Sequence, residues 1–248
     1  SELLYLQSTM LPGEEEQLDF YRSVLEPLHG QRAVIRTLDI GADKQVDYLP
    51  LPAEENPALG MRAVRLCLTR PDLFRVQLRA LYRASAYGNL AILFPMVSSP
   101  WEFTACRALC EQVQRELTQE GVAFCRDVPL GVMIETPAAA MMSEELAQVA
   151  DFFSVGTNDL TQYTLACDRQ NPDIEPFIDT HHEAILRLIE MSAKNAHANG
   201  AWIGICGELA ADTTLTETFL RMGIDELSVS PAFVLKVRDA VRNVDLRK

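Results

Sequence analysis

Residues 151–169, DFFSVGTNDLTQYTLACDR, place an apolar run, a glycine and a cluster of polar side chains in immediate succession. The run 152–155 has the length and composition of a buried strand, and Gly156 then frees the backbone to turn sharply into Thr157, Asn158 and Asp159. Taken alone, the polar triplet has two readings: helix capping, the commoner fate of Asn and Asp at a strand-to-helix junction, or a catalytic loop. The pattern decides the fold because it recurs. Arg36 with Asp39 and Lys44, Glu135 with Thr136, and Cys206 with Glu208 each follow an apolar run of their own.

Working outward, strands are expected near 3–6, 33–38, 91–95, 130–134, 152–155, 202–206 and 227–229. Amphipathic helical stretches alternate with them at 14–28, 71–87, 100–120, 138–148, 181–198, 212–222 and 232–242, several opening on Pro, Asp or Glu as helix starts prefer. This alternation is the signature of βα units around a parallel sheet. A flavodoxin-like open sheet shares that periodicity. The polar residues favour a (β/α)8 TIM barrel, in which the C-terminal end of every strand points to one functional rim. Seven strands are one short of closure, so the expectation is a barrel truncated before its first strand and near its C-terminal end.

Composition bounds the function. A chain of 248 residues with 48% hydrophobic content and no linker or low-complexity tract reads as a single domain, 1–248. The net charge of −13 argues against nucleic acid or an anionic membrane as partner, since both require a basic face. No apolar run approaches a bilayer span, and SELLYLQ lacks the basic start of a signal peptide. The six cysteines form no CxxC pair; with no secretion signal, reduced thiols in a cytoplasmic protein are expected.

The rim residues suggest a ligand. Two carboxylates and an amide, Glu135, Asp159 and Asn158, suit a hard cation such as Mg2+ whose shell is completed by substrate oxygens. Arg36, Arg62 and Arg169, with Lys44, suit phosphate or carboxylate, because the guanidinium fork matches both. A small, highly anionic phosphate ester is implied. Each residue also has a bland reading: Cys206 as a buried structural thiol, Glu135 as part of a helix cap, Arg62 or Arg65 as a salt-bridged side chain, His181 and His182 as a helix start.

The segments RTLDIGADK (36–44), EENPALGMRAVR (54–65), GVMIETPAA (131–139), DFFSVGTNDLTQYTLACDR (151–169) and GICGELA (204–210) resemble, in order, the C-terminal phosphoenolpyruvate (PEP)-binding barrel of Enzyme I of the PEP:sugar phosphotransferase system. That barrel also occurs in multiphosphoryl transfer proteins. The resemblance implies that Arg36, Arg169, Asn158 and the Asp159 backbone bind the PEP phosphate, that Arg62 and Lys44 assist, and that Glu135 and Asp159 hold Mg2+. It implies Cys206 as proton donor to the enolate carbon and a homodimer; Asp39, Asp43 and Glu208, as polar rim residues, read as groups that orient the arginines and lysine. The implied partners are PEP and pyruvate, an N-terminal domain bearing a phospho-histidine, and the carrier HPr.

None of His29, His181, His182 and His197 has the family's phospho-histidine context, so this chain alone is expected not to complete phosphotransfer. The family's R-T/S-E-x-L arginine is expected just before SELLYL. Two other readings share the residues: the barrel of a pyruvate phosphate dikinase or PEP synthase, and a non-catalytic ligand-sensing dimerisation module.

Overall fold

The computed structural model describes residues 1–40 and 46–247. Its strands are β1 (Ala33–Arg36), β2 (Leu90–Phe94), β3 (Leu130–Ile134), β4 (Phe152–Gly156), β5 (Trp202–Cys206) and β6 (Glu226–Leu227). Hydrogen-bonded neighbours follow chain order, β1-β2-β3-β4-β5-β6, and β1–β2, β4–β5 and β5–β6 pair in parallel. A doubly wound sheet reverses its order at a switch point, whereas successive βα units of a barrel do not. The order therefore decides for the barrel type of α/β fold.

One expected strand is a helix. Residues 3–6 lie in α1 (Glu2–Gln7), which buries Leu4 and Tyr5 and leaves Leu3 65% exposed. Leu, Glu and Gln are strong helix formers, and four apolar residues in a row carry no periodicity to oppose them. The remaining helices are α2 (Glu14–Leu25), α3 (Ala63–Thr69), α4 (Pro71–Ala84), α5 (Pro100–Gln119), α6 (Pro137–Met141), α7 (Ser143–Ala147), α8 (Thr157–Leu165), α9 (Glu183–Ala198), α10 (Thr216–Met222) and α11 (Val234–Arg242).

Contacts group the chain into two compact units, Ser1–Met96 with Trp101–Gly131, and Val97–Pro100 with Val132–Lys248. In the first, α4 starts on Pro71 with Asp72 in its first turn and buries Leu73, Phe74, Leu78, Leu81 and Tyr82. Glu14 of α2 pairs with Arg79 and Arg83 of α4 at 2.6 Å each. A buried polar chain runs beneath these helices. The Leu38 N–H donates to Gln77 Oε1 (2.9 Å), Gln77 Nε2 to the Tyr21 hydroxyl (3.1 Å), and the hydroxyls of Tyr21 and Tyr5 to Gln17 Oε1 (3.0 and 3.2 Å). This chain fixes the backbone where β1 ends and Asp39 begins.

In the second unit α9 packs on β4, β5, α6 and α7, burying Ile185, Ile189, Ala193 and Ala196. Phe152 and Trp202 stack across β4 and β5 with ring centroids 4.4 Å apart. The register sets Ser154 against Gly204 and Gly156 against Cys206. That register brings the ends of the two strands together.

Candidate active site

In the first unit, Arg36 closes β1, where it pairs with Glu2 and lies 3.8 Å from Asp39. Arg62 is 3% exposed and grips Asp39 with two hydrogen bonds, Nε to Oδ1 at 3.0 Å and Nη2 to Oδ2 at 2.8 Å. Of the two arginines on that stretch, Arg62 is thus the buried, carboxylate-oriented one. Arg65 instead donates to the carbonyls of Leu59 (2.7 Å) and Gly60 (3.1 Å). Asp39 orients both Arg36 and Arg62, as the sequence suggests. Lys44 and Asp43 lie outside the described residues.

In the second unit the polar triplet after β4 forms the first turn of α8, not a loop. Gly156 is there for a different reason than turning: its φ is −87°, open to any residue, but a Cβ on it would come within 2.7 Å of Glu135 Oε2. The glycine makes room for a carboxylate. Glu135, 1% exposed, therefore lies over the backbone that leads into Asp159, itself 6% exposed. Capping of α6 falls to Thr136, whose hydroxyl accepts from the Ala139 N–H and donates to the Val97 carbonyl, both at 3.0 Å.

Asp159 faces Arg169, Nη2 to Oδ1 at 3.7 Å. Asn158 points to the loop after β5, where its Oδ1 accepts from the Glu208 N–H at 3.1 Å. Thr157 donates to the Cys206 carbonyl at 3.0 Å. Between these two bonds lies Gly207 at φ +93°, a left-handed conformation that favours glycine, with Thr157 Oγ1 2.5 Å from where a Cβ would stand. The first turn of α8 and the Cys206 loop are thereby pinned together.

The Cys206 thiol donates to the Val155 carbonyl at 3.3 Å and accepts from the Ser154 hydroxyl at 3.5 Å. Cys206, Asn158, Glu208, Asp212, Ser230 and Lys236 line a pocket of about 830 Å³ that opens beside the strand end. His182 caps α9 through Nδ1, accepting from the Ala184 N–H at 3.1 Å, and His181 pairs with Asp212 at 2.7 Å. Sequence reasoning overlooked Ser154. The signal for Ser154 was its place as the one hydroxyl in the apolar run FFSVG.

Among the described residues no group of three or more His, Cys, Asp or Glu side chains gathers as a metal site, and no helix is long and apolar enough to cross a membrane. Residues 1–246 match the model of the family described as PEP-utilising enzyme, PEP-binding domain. The chain belongs to that family.

Members of it are similar along the whole chain. The phosphoenolpyruvate-protein phosphotransferase of Priestia megaterium is 48% identical over 98% of this chain and 43% of its own length. That of Staphylococcus carnosus is 46% identical over 99% and 43%. The chain thus spans less than half of these relatives. A solved citrate lyase from Burkholderia xenovorans LB400, 22% identical, superposes with a TM-score of 0.52 over 70% of this chain and 54% of its own, which is likeness of fold. The family match agrees with the five motifs in the sequence.

Proposed function

We propose that the chain is the PEP-binding, Mg2+-dependent catalytic part of a cytoplasmic PEP–protein phosphotransferase, which passes a phosphoryl group to a histidine of its N-terminal domain and then to HPr, and releases pyruvate. What carries this reading is similarity to relatives of that name across nearly every residue of the chain. It is supported by the bonds of Thr157 and Asn158 to the Cys206 loop, which tie the turn that carries a candidate phosphate ligand to the candidate proton donor.

Glu135 and Asp159 fit a hard divalent cation: both are buried carboxylates, and Gly156 holds open the space that the first of them occupies. Bound there, Mg2+ would supply charge neutralisation for the transferring group. The chain's own residues do the rest. Arg36, Arg62 and Arg169, held in place by carboxylates, neutralise the phosphate and present donors in fixed directions. Asn158 is a further phosphate ligand in this reading, and Lys44 a further charge. Loss of the phosphoryl group leaves the enolate of pyruvate, which needs a proton at carbon. Cys206 must be a neutral thiol to supply it, and its hydrogen bond to the Val155 carbonyl requires that protonated form.

Calorimetric titration with PEP tests the reading. Binding that strengthens with Mg2+ is expected, and Glu135→Ala should abolish the Mg2+ dependence; affinity indifferent to both would remove the metal assignment. In the intact enzyme, Cys206→Ser should slow pyruvate formation by at least tenfold while PEP binding is retained. A normal rate of pyruvate release would dismiss Cys206.

A further inference from the structure

Ser154 has no part in the reading above, yet its hydroxyl is aimed at the sulfur that does. It lies on β4 opposite Gly204 of β5, and the missing side chain there lets Ser154 reach diagonally to Cys206, donating to Sγ at 3.5 Å. The thiol's own proton points the other way, to the Val155 carbonyl. The sulfur therefore sits between an acceptor for its proton and a donor to its lone pair. Glu208, Asp212 and Lys236 line the same pocket as Cys206.

We propose that Ser154 is a positioning residue for the proton-donor thiol, holding the Cys206 sulfur in place and stabilising the thiolate left when the proton has gone. This rests on the assignment of Cys206 as proton donor to the enolate. In that step the S–H bond breaks and a C–H bond forms at the methylene carbon of the enolate. The bonding pair of the S–H stays on sulfur, and the thiolate then regains a proton from solvent water. A hydrogen bond from a neutral hydroxyl to a charged acceptor is stronger than one to the neutral thiol, so Ser154 favours the state after transfer over the state before it.

The test begins without PEP. Iodoacetamide alkylation of the chain is followed at the Cys206 peptide by mass spectrometry. Ser154→Ala should lower the thiolate fraction about tenfold, and since a more basic thiolate is also the better nucleophile, the net rate should fall about threefold. Ser154→Thr, which keeps the hydroxyl, should restore it. Buried Cys110 must stay unmodified in each variant as evidence of folding; should alanine unfold the strand, Ser154→Val against Ser154→Thr makes the same comparison. An alkylation rate at Cys206 unchanged by loss of the hydroxyl overturns the proposal.

In the intact enzyme, Ser154→Ala should reduce kcat for pyruvate formation about threefold with KM for PEP unchanged, and threonine should rescue it. Slower alkylation together with unaltered pyruvate formation would support the Ser154–Cys206 coupling and refute the proton-donor role on which its use depends.

Discussion

At the scale of single residues, the described site is organised by two glycines with different tasks. Gly207 is needed for its conformation, whereas Gly156 is needed for the space it leaves to Glu135. Gly156→Ala should therefore lower stability by about 1–3 kcal/mol, the usual range for overfilling a packed site, read as a drop in the denaturant midpoint. An unchanged midpoint would mean that Glu135 moves aside without cost. Asp212 gives a pH-dependent counterpart. Hydrogen bonds from the Thr214 hydroxyl and backbone, then from His181, hold its carboxyl below the usual range against the opposing effect of burial. A lowered folded value means stability that is present above the unfolded value of about 3.9 and lost as pH falls through the folded one. The stability gap between the wild type and Asp212→Asn should thus be full at neutral pH and close below about pH 3.9 in urea titrations.

At the scale of elements, most strand ends were legible because four- and five-residue apolar runs bounded by polar clusters admit few alternatives. Two elements were not. Residues 3–6 satisfy strand and helix patterns equally, and propensity settles them as α1. The stretch opening at Thr157 was left between a helix cap and a catalytic loop, because polar residues densest at its start suit both; they form the first turn of α8. The choice of site residues was legible from motifs, but their pairings were not. Spacing does not reveal that Arg62 would take Asp39 with two bonds, or that Leu38 would hang from Gln77 on α4. That last link is testable. Gln77→Leu strands the Leu38 N–H without its acceptor and should cost about 1–3 kcal/mol, measured by chemical denaturation; a neutral result would remove the buried polar chain as a support of the β1 end.

For the molecule as a whole, the acidic surface and the anionic ligand expected of it were reconciled in the sequence by three arginines and a divalent cation. In the structure each of Arg36, Arg62 and Arg169 is held by a carboxylate, so the arginines act as oriented donors more than as loose positive charge. The cysteines offer a check on the entire fold. Cys67, Cys106 and Cys110 are buried, and burial raises their pKa values, that of Cys110 to about 12, while Cys125 is exposed. A thiol reagent at pH 8 should modify Cys125 fastest and leave those three untouched until denaturant is added. Rapid reaction of any of the three in the native protein would contradict the packing described.

The pinned loop at Gly207 also has a stereochemical consequence. Because Thr157 and Asn158 fix the backbone on both sides of Gly207, and Ser154 and Val155 fix the sulfur, the thiol approaches a bound ligand from one direction only. Under the proposed reaction, proton delivery from such a donor is confined to one face of a planar carbon. PEP labelled with tritium at one methylene position and turned over in deuterated water should then yield pyruvate whose methyl group has a single handedness.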